Sequence, residues 1–131
     1  MDKVFLDANV LFSVAYGSKG LRKFWKLQEK GKLILFTSNY AVNEAKRNLA
    51  TNEQVIFLEK ILQKVCVYQA SLPDLPLPEL LPPKDMPILK AAIACEATHL
   101  VTGDIKHFGL LFGKTILGVK IVTPKQYLEE K

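Results

Sequence analysis

The sequence predicts an α/β fold in a single domain over residues 1–131, with helices covering both faces of a central parallel sheet of about five strands. Short continuous apolar segments, typical of strands buried on both faces, alternate with longer segments that have apolar residues at helical spacing. This alternation favours parallel strands joined by helices. A chain of 131 residues is also long enough for one domain with one hydrophobic core.

The first half of the chain alternates the two kinds of element. Strands are predicted at 4–6, 33–36 and 65–68. Helices are predicted at 8–16, 19–30, 40–49 and 52–64, with Thr37 or Ser38 available to cap the third of them. The helix at 19–30 is basic and amphipathic, and its apolar stripe includes Phe24 and Trp25.

The second half begins with a proline-rich stretch, Ser71 to Pro83, which contains five prolines and is predicted to be an extended loop. Such a long connection in a small domain often borders a functional cleft. A buried helix is predicted from Pro87 to Ala97, followed by strands at 99–102 and 119–122. Thr123 and Pro124 then begin a short C-terminal helix.

Composition favours an anionic partner and self-association. The net charge of +5 indicates nucleic acid as a candidate partner, although the protein can equally be a basic protein without one. Hydrophobic residues make up 49% of the chain. With Phe24 and Trp25 side by side on a basic helix, this predicts a homodimer or a tight partner complex, unless both aromatics belong to the core.

The two cysteines and the lengths of the apolar segments bear on localisation. Cys66 and Cys95 lie in apolar surroundings, so we expect buried reduced thiols rather than a disulfide or a zinc knuckle. No segment approaches the roughly 20 apolar residues of a membrane span. We therefore expect a cytoplasmic protein with no membrane association.

Two aspartates, Asp7 and Asp104, follow predicted strands. In open parallel sheets that edge is where ligands bind, although a single aspartate after a strand more often caps the next helix. Asp85 precedes the Pro87 helix and in isolation is best explained as its cap. Glu44 lies about 120° from the centre of the apolar stripe of its helix, where solvent exposure is the default.

Taken together, these four acids predict a divalent cation, because carboxylates converging in one cleft repel each other unless a metal or protons intervene. His99 and His107 are too isolated in the sequence to indicate zinc, and no Cys-x-x-Cys or His-Glu-x-x-His spacing is present. Ligation by oxygen alone points to Mg²⁺ or Mn²⁺.

Three segments, VFLDANVLFSVAY, SNYAVNEAKRNL and KDMPILKAAIACEATHLVTGDIKHF, together resemble the PIN-domain nuclease family. The resemblance covers nearly the whole chain, and its specific part runs from Asp85 through the Thr-Gly-Asp turn to His107 and Phe108. The chain is also similar to stand-alone members that act as VapC-like toxins of toxin–antitoxin pairs. The resemblance implies a three-layer α/β/α PIN-like domain. It implies the following catalytic and metal-binding residues: Asp7, Glu44, Asp85 and Asp104, with Asn9 and Thr102 in support.

The resemblance further implies an Mg²⁺- or Mn²⁺-dependent endoribonuclease that acts on single-stranded or structured RNA and has an antitoxin partner. It also implies that Asp7 and Asp104 follow neighbouring central strands. Many relatives carry further acids where this chain has Lys84, Lys106 and His107, which leaves the number and affinity of the metals open. The phosphate-binding candidates are Lys46, Arg47, Lys106 and the face with Arg22, Lys23 and Lys26, although exposed lysines are usually only solvated.

Other classes of protein place an aspartate after the first strand. In a receiver or a haloacid-phosphatase-like domain, Asp7 would become phosphorylated. Either of these would be an aspartate-based phosphotransfer domain. A receiver also needs an aspartate at the end of the third strand, where Val65 to Gln69 has none, and the phosphatase pattern Asp-x-Asp is here Asp7-Ala8-Asn9. A third alternative is a non-catalytic PIN-fold module that binds nucleic acid or protein, which the four intact acids disfavour.

Overall fold

The computed structural model describes residues 1–69, 74 and 77–131, and it confirms a three-layer α/β fold with a mostly parallel central sheet. Its strands are β1 (Asp2–Leu6), β2 (Leu33–Ser38), β3 (Cys66–Tyr68), β4 (His99–Val101), β5 (Thr115–Ile116) and β6 (Val119–Val122). Its helices are α1 (Ala8–Tyr16), α2 (Lys23–Glu29), α3 (Asn39–Asn48), α4 (Asn52–Leu62), α5 (Met86–Ala94), α6 (Ile105–Phe108) and α7 (Pro124–Glu129).

The centre of the sheet is β1, which pairs in parallel with β2 on one side and β4 on the other. Its residues Val4, Phe5 and Leu6 are all fully buried. Because successive side chains of a strand point to opposite faces, consecutive burial requires helices on both faces. The apolar run in the sequence is therefore the direct cause of the layered architecture.

The strand order is β3-β2-β1-β4-β6-β5, so the chain fills one side of β1 first and then crosses to the other side. That reversal creates a crevice between the carboxyl ends of β1 and β4, the position at which open α/β sheets bind ligands. Asp7 directly follows β1, and its backbone N–H donates to the carbonyl of Val101 at the end of β4 over 3.0 Å. Residues 102–104 directly follow the end of β4, so they begin at the same edge of the sheet as Asp7.

A sixth strand, β5, was missed by the sequence prediction, and among the described residues it is the one strand that pairs antiparallel in the sheet. It forms a hairpin with β6 through Leu117 and Gly118, which both have positive φ (47° and 88°). This is the geometry of a type I′ turn, which is usually signalled by Asn-Gly or Asp-Gly. The pair Leu-Gly carries no such signal.

The structure decides between the two alternatives left open for Phe24 and Trp25, an exposed pair or part of the core. Phe24 is fully buried and Trp25 is only 9% exposed, with its indole N–H donating to the carbonyl of Ile61 over 3.0 Å. Both aromatics therefore belong to the core, and they do not support a dimer surface. The basic segment around them is a 3₁₀ turn, Gly20–Arg22, followed by the shorter helix α2.

The cysteines also differ from expectation, whereas part of the predicted proline-rich loop lies outside the described residues. Cys66 is exposed and Cys95 is half-buried, so the prediction of two buried thiols was wrong. Residues 71–73, 75 and 76 of the predicted loop, together with residue 70 before it, lie outside the described residues, and the end of the loop leads into Lys84 and Asp85. Within the described ranges, no helix is long and apolar enough to cross a membrane.

Candidate metal centre

The first predicted acid, Asp7, sits at the hinge between β1 and α1 and is only 4% exposed. Its Oδ1 accepts a hydrogen bond from the backbone N–H of Ala8 over 2.6 Å. Its Oδ2 accepts from the hydroxyl of Thr102 over 2.7 Å and from the side-chain amide of Asn9 over 3.2 Å. Three donors thus fix the orientation of this carboxylate.

Burial raises the pKa of Asp7 to about 6, and the negative charges of Asp85 and Glu44 add to the rise. The hydrogen bonds from Thr102 and Ala8 oppose it because they favour the ionised form. A carboxylate that is buried among other acids and still held by three donors is arranged to carry a charge once a cation is present.

The two supporting residues connect the ends of β1 and β4. Thr102 is fully buried, and its hydroxyl accepts from the Asn9 amide and from the backbone N–H of Asp104, each over 3.1 Å. The side-chain oxygen of Asn9 accepts from the backbone N–H of Gly103 over 2.8 Å. Asn9 and Thr102 therefore act as positioning residues for Asp7 and for the turn that carries Asp104.

Asp104 begins α6 as its N-cap, and its Oδ1 accepts from the backbone N–H of His107 over 3.1 Å. The ring Nδ1 of His107 lies 2.8 Å from Asp104 Oδ2 and 3.1 Å from Asp85 Oδ2. The expectation that His107 is isolated was therefore wrong. The sequence signal was its position three residues after Asp104 at the start of a helix, where the two side chains meet.

Asp85 occupies the N-cap position of α5, but its side chain makes no capping hydrogen bond. The interpretation of Asp85 as a helix cap was therefore wrong. The residue is 7% exposed, and its Oδ2 has no hydrogen-bond partner among the described residues. His107 Nδ1 lies within ion-pair distance of this oxygen, but a ring nitrogen carries at most one hydrogen, and the geometry directs it to Asp104.

Burial also raises the pKa of the Asp85 carboxyl, and the negative charge of Asp104 adds to the rise. The positive charges of His107 and Lys84 oppose it. Both buried acids, Asp7 and Asp85, thus bind protons more tightly than an exposed carboxyl does, as expected for acids that share a cavity without a cation.

All four predicted acids line one cavity of about 400 Å³ at the switch point of the sheet. Glu44 reaches it from α3 and is half-buried rather than simply exposed. The other lining residues are Ala8, Asn9, Phe12, Asn48 and Lys84. The predicted phosphate-binding residues Lys46, Arg47 and Lys106 do not line the cavity, whereas Lys84, which was not predicted to bind phosphate, does. Its position directly before Asp85 was the available signal.

The donor set fits a divalent cation. Asp85, Asp104 and His107 each offer one ligand atom, and these three atoms lie within 4.8 Å of one another. The orphaned Asp85 oxygen is an acceptor without a donor, which a bound cation would satisfy. The residues present therefore fit the metal that the sequence predicts.

The fold and the cavity define an α/β protein with an acidic pocket at the switch point of a parallel sheet. A family model described as PIN domain matches residues 3–106. The chain belongs to the PIN-domain family. Among curated protein sequences, none is significantly similar to it.

A similar fold occurs in a crystal structure of VapBC2 from Rickettsia felis bound to a DNA fragment from its promoter. The TM-score is 0.63 at 17% sequence identity, and the match covers 92% of this chain and 98% of that chain. The agreement extends over nearly both whole chains, so it supports the domain architecture described above.

Proposed function

We propose that this protein is an Mg²⁺- or Mn²⁺-dependent endoribonuclease in which Asp7, Glu44, Asp85 and Asp104 hold the metal. The observation that carries the proposal is the convergence of these four carboxylates on one cavity, with a buried Asp85 oxygen that has no hydrogen-bond partner. Membership of the PIN-domain family supports nuclease chemistry.

The residues have separate roles in this proposal. The acids would hold a divalent ion, which would supply an activated water for attack on phosphorus and positive charge to offset the charge that develops on the phosphate. Asp7 is held by three donors, so it presents a fixed oxygen to the cavity. Asn9 and Thr102 keep that orientation, and Asp104 is held as the N-cap of α6, directly before its first residue.

Substrate binding needs positive charge, because four carboxylates repel a phosphate backbone. Lys84 lines the cavity and is exposed, so it is the nearest candidate for a phosphate contact. Lys46 and Arg47 follow Glu44 on α3, and Lys106 follows Asp104 on α6, which places them beside the acids in the chain. We propose single-stranded or looped RNA as the substrate, since a concave cavity takes a splayed-out phosphate more readily than a duplex.

The test is a cleavage assay with fluorescent single-stranded RNA, duplex RNA and DNA, in Mg²⁺ or Mn²⁺ and in excess EDTA. We expect cleavage of single-stranded RNA with metal, no cleavage in EDTA, and none by Asp85→Asn. The exposed control variant Asp74→Asn should remain active. Equal or faster cutting of duplex DNA would indicate a DNA nuclease, and no cutting with metal bound would favour the non-catalytic module.

A phosphotransfer role for Asp7 is disfavoured by its surroundings. A phosphorylated aspartate needs an accessible, nucleophilic oxygen. Both oxygens of Asp7 already accept hydrogen bonds, and the residue is 4% exposed. In addition, β3 ends at Tyr68 rather than at an acid.

We further propose that the protein is the toxin of a toxin–antitoxin pair. A groove of about 350 Å³ with an apolar floor and a basic rim suits an acidic amphipathic segment of an antitoxin. Its apolar residues include Trp25, Phe57 and Ile61, and its basic residues are Arg22, Lys26, Lys60 and Lys64. A small adjacent open reading frame should encode a protein that co-purifies with this chain. Lys60→Glu should weaken that complex, whereas Lys114→Glu, outside the groove, should not.

A further inference from the structure

We propose that His107 is a metal ligand through Nδ1, together with Asp85 and Asp104, and that this nitrogen makes the site select Mn²⁺ over Mg²⁺. The inference rests on the proposed function, because it concerns the same cavity. It adds one imidazole nitrogen to a donor set that otherwise consists of carboxylate oxygens, and it therefore changes which ion the site prefers.

The distances in the structure match those of a metal's ligands. Nδ1 of His107 lies 2.8 Å from Asp104 Oδ2 and 3.1 Å from Asp85 Oδ2, and one ligand atom of each residue lies within 4.8 Å of those of the other two. Ligands at about 2.1 Å from an octahedral ion lie about 3 Å apart when adjacent and about 4.2 Å apart when opposite. Small side-chain movements would therefore bring all three atoms onto one ion.

The three side chains come from two separately fixed segments. Asp104 and His107 share the first turn of α6, where the His107 backbone N–H donates to Asp104 Oδ1 over 3.1 Å. Asp85 stands at the start of α5 and is buried. The backbone thus holds the cluster in place without needing a hydrogen bond from the ring to Asp85.

The alternative role for His107 is that of a cationic partner which a metal displaces. In that role its Nδ1–H satisfies one carboxylate oxygen, and the distances show that this oxygen belongs to Asp104. Asp85 Oδ2 then stays buried without a hydrogen-bond partner. A single cation bound to all three atoms satisfies both carboxylates and the ring, so the orphaned oxygen favours the ligand role.

The chemistry of the donors gives the selectivity. Mg²⁺ is a hard ion that takes oxygen ligands and retains several waters, whereas first-row transition ions accept imidazole nitrogen. A cavity with only carboxylates would discriminate weakly between Mg²⁺ and Mn²⁺. One imidazole shifts the preference toward Mn²⁺.

The experiment uses Mn²⁺ itself as the probe, bound to the full chain. Pulsed electron paramagnetic resonance should detect ¹⁴N coupling from a directly bound imidazole in the wild type and in His99→Gln, but not in His107→Gln. His99 is a matched control, since it lies at the opposite end of β4 beside Asp2. Calorimetric titration should show that the preference for Mn²⁺ over Mg²⁺ falls roughly tenfold or more in His107→Asp.

Each outcome has a defined meaning. The inference would be overturned if the wild type bound Mn²⁺ without ¹⁴N coupling, or if His107→Gln bound Mn²⁺ as tightly as the wild type or more tightly. If the enzyme still cleaved RNA, either result would leave the proposed function standing. Nitrogen coupling without cleavage of any RNA would support the ligand role and contradict the proposed function. Failure of the wild type to bind Mn²⁺ at millimolar concentration would refute both.

Discussion

Replacing Asp7 by Asn tests the electrostatic state of the cavity through the stability of the metal-free protein. The pKa of Asp7 is raised from its ordinary value of 3.8 to about 6, with burial as the main cause. The folded protein therefore binds this proton more tightly than the unfolded chain does. The resulting stabilisation is fully present below pH 3.8 and is lost as the pH rises to about 6.

The size of the effect follows from the shift. About two pKa units at 1.36 kcal/mol each correspond to about 3 kcal/mol of stability lost across this range. Asn carries no charge at any pH. The free energy of unfolding of Asp7→Asn, relative to that of the wild type, should therefore rise by about 3 kcal/mol from acid to neutral pH. If the variant lacks a hydrogen bond from Thr102 or Asn9, its free energy of unfolding changes by the same amount at every pH.

The assay is urea unfolding in excess EDTA from pH 4 to pH 8, with the free-energy difference between variant and wild type plotted against pH. This difference cancels titrations that both proteins share, such as that of His99, whose pKa is lowered mainly by burial. Asp74→Asn, at an exposed position, is the control and should show no pH-dependent difference. A flat curve for Asp7→Asn would refute the argument that burial among acids governs this site.

Three further predictions concern the same molecule. Asp104→Asn should abolish hydrolysis, while thermal stability should hold or rise because Asn still caps α6 and one repelling charge is removed. Full activity of this variant, or full activity of the wild type in EDTA, would contradict the metal mechanism. Thr102→Val should cost about 1–3 kcal/mol in urea unfolding, because it leaves buried partners unpaired, whereas the exposed Thr115→Val should cost little. With Phe24 and Trp25 buried, the apolar composition of the chain, 49% hydrophobic residues, is the remaining reason to expect a homodimer in light scattering at micromolar concentration, and a monomer would leave only the complex with an antitoxin.

The sheet and its acidic edge were predictable from the sequence because burial on both faces and strand-end acids leave local patterns. Asp7 and Asp104 follow β1 and β4, whose apolar runs are continuous. Glu44 and Asp85, which line the cavity, were assigned to the site only through the family resemblance, since helical spacing suggests an exposed Glu44 and a capping Asp85. Their actual surroundings depend on tertiary packing, which no local pattern encodes.

The errors have the same origin. Whether Phe24 and Trp25 are displayed or buried depends on the packing of α2 against β2 and α4, and the helix pattern alone cannot decide it. His107 was passed over because its second acidic partner, Asp85, is distant in the sequence. The hairpin of β5 was not predicted because Leu117, which is not a typical turn residue, adopts positive φ.

The hydrogen bond from Thr102 to Asp7 joins residues 95 positions apart, and it bears on the order in which the parts of the cavity form during synthesis and folding. Asp7 and Glu44 leave the ribosome early, but their cavity is incomplete until β4 pairs with β1. Contacts between such distant residues form late in folding because a long loop must close first. A nascent or truncated chain that ends before residue 99 therefore lacks Thr102, Asp104 and His107, so the cavity cannot be finished until the segment from β4 to α6 has been made and has paired with β1.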